Sequence, residues 1–204
     1  MKIRQSEALV LRTYPYLESH KIVVFLTRKY GKVRGIAYGA RKPKSKHGGS
    51  FELLTQVQLT FSRKENQDLA TVRNCEILQT FFLKPVTWEV SLDLSYFAEL
   101  LEAFSSENEE SENLMRLALA VIEVISELST ELVVRYFELW LLKLEGVLPP
   151  LQTQLPQALA TKTSAFLKKH PSQLEGVILT SGERERLESV CHELIEYHLE
   201  KDLK

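Results

Sequence analysis

The apolar residues of this chain change their spacing once, near Lys84-Pro85, and that change limits the fold more than any other feature. Before it the pattern is that of strands. Ala8-Leu9-Val10-Leu11 leads into a turn-like Tyr14-Pro15-Tyr16, and Ile22 to Leu26 is a short continuous apolar run, as in a strand covered on both faces. Lys29-Tyr30-Gly31-Lys32 reads as a tight turn with Gly31 free to take positive φ, and Val33 to Tyr38 as its partner strand. Phe51, Leu53, Val57, Leu59 and Phe61 alternate with polar residues, which predicts a half-buried strand. Leu69 to Leu78 is a fifth, less regular one. Five short strands in so short a stretch predict a small closed or nearly closed barrel.

After Lys84-Pro85 the period becomes that of helices. Phe97, Leu100, Leu101 and Phe104 form one stripe, Leu114 to Ile125 a second, and Val133 to Leu144 a third. The last stripe joins Leu187, Val190, Cys191, Leu194 and His198, opened by a capping box at Thr180 to Glu183. Ser105 to Glu112 reads as an acidic connection between helices, and Gly146 with Pro149-Pro150 as a helix stop. Residues 151–178 are the least periodic and predict short helices. The fold class is therefore α+β and multidomain: a β-barrel over residues 1–80, then an all-α bundle over residues 81–204.

Charge divides at nearly the same place. The net formal charge is −1, yet the first 50 residues carry +10 and the remaining 154 carry −11. A basic end on an acidic body suits a polyanion ligand. Arg41, Lys42, Lys44 and Lys46 fall within six residues on an expected inter-strand loop, where Gly39, Gly48 and Gly49 allow close backbone approach. Arg34 precedes the loop, and Lys21, Arg28 and Lys32 extend the basic surface. Tyr14, Tyr16 and Tyr38 lie nearby and supply rings on which bases can stack while cations neutralise the backbone. A mobile, merely solvated basic loop is the competing reading, and the compensating acidic domain argues against it.

Other chemistries are poorly supported. The Gly39 to Gly48 segment lacks the Gly-Lys-Ser/Thr ending of a phosphate loop, and no Gly-x-Ser-x-Gly elbow exists. The five histidines are scattered. Cys75 and Cys191 have no ligand-like spacing and fit buried thiols in a reducing compartment. No secretory leader is expected at the polar N-terminus and no stretch is apolar enough for a bilayer, so the expectation is a cytoplasmic, non-enzymatic protein without a cofactor.

Specific motifs sharpen this. Ser6 to Thr13, then Tyr16-x-Glu18-Ser19-His20-Lys21-Ile22-Val23, Thr27-Arg28-x-Tyr30-Gly31-Lys32-Val33 and Gly39 to Ser45, resemble in order and spacing the N-terminal signature of the RecO family of DNA repair and recombination proteins. The later match is looser, resting on helix order, Gly146-Val147-Leu148-Pro149 and the closing Glu196-Tyr197-His198-Leu199-x-x-x-Leu203-Lys204. The resemblance implies an N-terminal OB-fold, a helical C-terminal domain and a recombination mediator that binds single- and double-stranded DNA and anneals complementary strands. It implies RecR as a partner, the acidic C-terminal tail of single-stranded-DNA-binding protein as another, and RecA as an indirect one, in a bacterial nucleoid-associated setting. Many members carry a four-cysteine zinc site after the Gly-x-x-Pro. Here Pro149 to Gln154 contains no cysteine, so no zinc is expected. Charge and aromatics alone leave two alternatives open: an RNA-binding OB module, and a protein adaptor without direct DNA binding.

Overall fold

A computed structural model describes residues 2–43, 45, 47, 49–64, 67–81 and 87–200. Five strands come first: β1 (Lys2–Tyr16), β2 (His20–Thr27), β3 (Gly31–Ala37), β4 (Gln56–Arg63) and β5 (Ala70–Gln79). They close into a barrel of order β1-β2-β3-β5-β4, in which only the β3–β5 pairing is parallel. This is the five-stranded OB-type barrel expected. Its interior is filled by alternate residues, among them Ala8, Val10, Val23, Phe25, Val57, Leu59, Phe61 and Val72. Gly31 takes φ +63° in the β2–β3 turn, as its position requires.

Two segments depart from the expected strands. Tyr14-Pro15-Tyr16 is not a turn but the end of β1, paired with His20 to Ile22. The pairing of β1 with β4 stops at Leu9↔Gln56, and past Val10, whose backbone still bonds to Leu54 and Thr55, the strand has a ladder partner on one side only among the described residues. Pro15 has no N–H to donate and is tolerated on that open side. The second departure is that β4 begins at Gln56, not Phe51. Leu54 is buried with φ +54°, and Leu54 N–H donates to Val10 O at 2.7 Å, which folds residues 51–55 into a turn. Phe51 still reaches the barrel core, edge-on to Phe25 at 6.2 Å.

The helices are α1 (Trp88–Phe104), α2 (Glu112–Val124), α3 (Thr130–Leu144), α4 (Leu151–Gln154), α5 (Gln157–Phe166) and α6 (Ser181–Leu199), with a 3₁₀ turn at Pro171–Gln173. The chain forms two compact units. The first joins residues 1–87 with 94–115, and the second joins 88–93 with 116–204.

In the second unit α3 is buried on nearly every face and packs against α6. The capping box at α6 is made as the sequence predicts: Glu183 N–H donates to Thr180 Oγ1 at 3.3 Å and Thr180 N–H to Glu183 Oε2 at 2.8 Å. Gly146 takes φ +71° just beyond α3, and residues 151–178 hold only short helices, both as expected. His198 is exposed, against expectation, because Ile195 rather than His198 continues the buried stripe from Cys191. Glu138 is a fully buried acid, held by Arg135 at 3.0 Å and 3.6 Å from His192 Nε2. Burial, and then the Arg135 charge, hold the His192 pKa below its ordinary value. Among the described residues no helix is long and apolar enough to cross a membrane.

Candidate nucleic-acid interface

The outer face of β1-β2-β3 is set by a bulge in β1. Val10 pairs with Phe25 and Arg12 with Val24, so Leu11 is an extra residue. Ala8 and Val10 point into the barrel core, and strict alternation would send Arg12, Tyr14 and Tyr16 after them. The extra residue reverses the alternation. Thr13 now takes the inward position, its hydroxyl donating to Phe51 O at 3.1 Å, and Arg12, Tyr14 and Tyr16 lie outside.

Register then assembles rows across three strands. Arg12, Val24 and Arg34 form one, and Tyr14, Ile22 and Ile36 the next. Tyr16 pairs with His20, and Tyr38, just past the end of β3, stands edge-on to the His20 ring at 5.0 Å. Tyr14, Tyr38 and Arg34 are exposed, and Tyr16, His20, Ile22 and Ile36 half-buried. Neighbouring strands lie about 4.8 Å apart, so each row spans about 10 Å.

The basic loop is tied to the same end of the sheet. Gly39 N–H donates to His20 Nδ1 at 3.0 Å, Arg41 N–H to Ser19 O at 3.0 Å, and Arg41 Nη1 to Leu17 O at 3.0 Å. With Nδ1 accepting, the neutral His20 ring carries its proton on Nε2. Gly39 takes φ +71°, which lets the chain double back there. Arg41 and Lys42 are exposed. Lys21 sits on the inward-pointing parity of β2 with Val23 and Phe25, half-buried at the barrel rim beside Ala37. Lys44 and Lys46 lie outside the described residues.

The structure therefore gathers Tyr14, Tyr16, Lys21, Tyr38, Arg41 and Lys42 at the end of the sheet formed by the β1–β2 hairpin, with Arg34 farther along β3. Arg28 and Lys32 stand at the other end of β2, about 24 Å away for a strand of this length. Their cationic groups are already engaged. Arg28 Nη2 meets Glu7 at 2.8 Å and Arg28 Nη1 meets Glu112 at 2.6 Å, and Lys32 Nζ donates to Glu102 O at 2.7 Å. The Glu112 hydrogen bond, then that of Glu7, pushes the Arg28 pKa up. The reading of residues alone missed Arg12, His20, Ile22 and Ile36. The strand period could have placed the last three on Tyr38's face, but Arg12 needed the bulge.

Residues 1–81 match the family model described as Recombination protein O N terminal, and residues 88–156 match Recombination protein O C terminal. The chain is 34% identical over 149 residues to DNA repair protein RecO of Koribacter versatilis, covering 73% of this chain and 61% of that protein. It is 33% identical over 153 residues to DNA repair protein RecO of Pelotomaculum thermopropionicum, covering 74% and 59%. It is 30% identical over 179 residues to DNA repair protein RecO of Halalkalibacterium halodurans, covering 81% and 67%. The chain belongs to the RecO family. It spans about three fifths of the length of the first of these relatives. The resemblance carried by the N-terminal motifs is thus a true one, and the RecO N-terminal match covers the whole barrel and the tyrosine- and cation-bearing end just described. The relatives' names are those of a DNA repair protein and state no enzymatic activity.

Proposed function

We propose that this chain binds DNA and acts as a mediator of recombinational repair, annealing complementary strands without catalysis or cofactor. The observation that carries the reading is the joining of exposed and half-buried tyrosines to cations that pair with no acid among the described residues, at one end of a family-matched OB barrel. Arg34, Arg41, Lys42 and Lys21, with Lys44 and Lys46, neutralise phosphates of the strand. Tyr14, Tyr16 and Tyr38 stack on its bases. Residues 1–80 carry DNA binding in this reading. The acidic residues 81–204, which repel a strand, carry protein partners: RecR, the tail of single-stranded-DNA-binding protein and, through them, loading of RecA. Such a protein works in the cytoplasm at the nucleoid.

The test combines binding and reaction. With four to six phosphates neutralised, log K against log salt for a single-stranded oligonucleotide should have a slope of about −3 to −4. Replacing Arg41, Lys42, Lys44 and Lys46 with Ala should flatten that slope and slow annealing of complementary strands, bare or coated, while the far-ultraviolet circular dichroism stays unchanged. A slope near zero in the unmodified chain removes the reading. Preference for a ribose over a deoxyribose strand of equal sequence would move it to RNA.

A further inference from the structure

Three arginines of the barrel unit do not face solvent as unpaired charges, and one stretch of chain supplies an acid to each, Arg28 being held by Glu7 as well. Glu102, at the end of α1, meets Arg12 Nε at 3.1 Å. Glu107 in the α1–α2 connection meets Arg63 at 3.0 Å, and Glu112 at the start of α2 meets Arg28 with both carboxylate oxygens at 2.6 Å. The same stretch supplies the Glu102 carbonyl that accepts from Lys32 Nζ.

The stretch is anchored to the barrel through its backbone. Lys32 N–H donates to Ser106 O at 2.8 Å, Asn108 N–H to Tyr30 O at 3.0 Å, and Ser111 N–H to Arg28 O at 3.0 Å, while Gly31 and Glu107 form a strand-like bridge. The stretch is thereby held on the β2–β3 turn, and its carboxylates meet guanidiniums of β1, of that turn and of the end of β4. Glu109 and Glu110 lie in the same connection, are exposed, and pair with no cation among the described residues.

We propose that the acidic segment 102–112 is a built-in stand-in for a phosphate backbone, which occupies Arg12, Arg28 and Arg63 and confines a bound strand to the end of the sheet that bears Tyr14, Tyr16, Tyr38, Arg41 and Lys42. The inference rests on the DNA-binding reading above and concerns where on the barrel the strand is admitted. Its physical basis is counterion release. A free cation that meets a phosphate displaces condensed ions from the strand and steepens the salt dependence. A guanidinium already bound to a carboxylate contributes nothing unless that pair breaks. The internal acids therefore shorten the footprint and make the +10 of the N-terminal 50 residues act as a smaller charge.

The experiment compares two charge-matched variants of the full chain, E107Q/E112Q and E109Q/E110Q, by titration of a labelled oligo-dT strand across a salt series. The first frees Arg63 and releases Arg28 from Glu112, leaving Arg28 on Glu7. At about 0.7 per added phosphate contact, the freed Arg63 steepens its slope by about 0.7, so between 50 and 200 mM salt it loses about 2.6-fold more affinity than the unmodified chain. The second changes the same net charge in the same connection and keeps the unmodified slope. Equal slopes for the two variants, or no change in either, overturn the inference. Absence of any binding by the unmodified chain overturns the DNA-binding reading instead. The stand-in then survives only if E107Q/E112Q binds, and it falls if that variant is equally silent.

Discussion

Gly31 shows how one residue can be demanded twice. Its φ of +63° lies in the left-handed region, and a Cβ there would drive into the Ser106 carbonyl oxygen and come within 2.7 Å of Glu109 O. The backbone of the acidic connection thus rests directly on the β2–β3 turn, and neither neighbour is a flexible side chain that can swing aside. Gly31→Ala should destabilise the barrel unit by about 2–4 kcal/mol, combining left-handed strain with overpacking. Urea unfolding would check this, and a loss below about 0.5 kcal/mol would mean the connection moves away at little cost. The turn itself was legible in Lys29-Tyr30-Gly31-Lys32, because positive φ and glycine are locally coupled. The carbonyls that crowd it come from residues about 75 positions later, which no local pattern announces. The same holds for the predicted cations. Residue type made Arg28 and Arg41 equivalent, and only their neighbours separate them: Arg28 is clasped by two carboxylates, whereas Arg41 is held by the Leu17 carbonyl and faces solvent.

Among the elements, α6 is the one whose start is written most plainly in sequence. Thr180 and Glu183 satisfy each other's backbone donors, and the Glu183 carboxylate also takes Lys162 Nζ at 2.7 Å. That lysine, then the Thr180 N–H, lowers the Glu183 pKa. Thr180→Ala should cost about 1 kcal/mol, and Thr180→Ser should recover most of it because the accepting hydroxyl returns. Thermal unfolding of both variants would show the split, and equal losses would remove the cap as the cause. β1 is the opposite case. Its apolar run Ala8 to Leu11 marks a strand, but Tyr14-Pro15-Tyr16 reads as a turn, because proline and tyrosine beside a polar stretch look like one. Strand pairing with His20 to Ile22 overrode that local preference. The Leu11 bulge then decided which face the tyrosines occupy. Phe51 and Leu53 failed differently. Their alternation is genuine, but it belongs to a turn that plugs the barrel rather than to a strand.

Across the whole molecule, the first compact unit is not a continuous piece of chain, since residues 94–115 join the barrel. That segment brings Leu94, Phe97, Leu100, Leu101, Phe104 and Met115, all buried, together with the acids that hold Arg12, Arg28 and Arg63. Burying six such side chains is worth on the order of 10 kcal/mol as an upper bound. That is comparable with the entire stability of a domain. A fragment of residues 1–115 should therefore resist urea to a clearly higher midpoint than a fragment of residues 1–87, and equal midpoints would show that the barrel is self-sufficient. The sequence by itself determined the order of architecture, barrel then helices, and the separation of charge. Both follow from periodicity and composition, which local residue patterns carry directly. It also carried the family signature over the barrel. Tertiary structure alone decided which cations remain exposed and which are closed by acids distant in sequence, 44 positions away for Arg63 and 84 for Arg28. Ion pairing depends on distance in space, and strand register, a bulge and a returning helix create that distance without leaving a repeat in the chain.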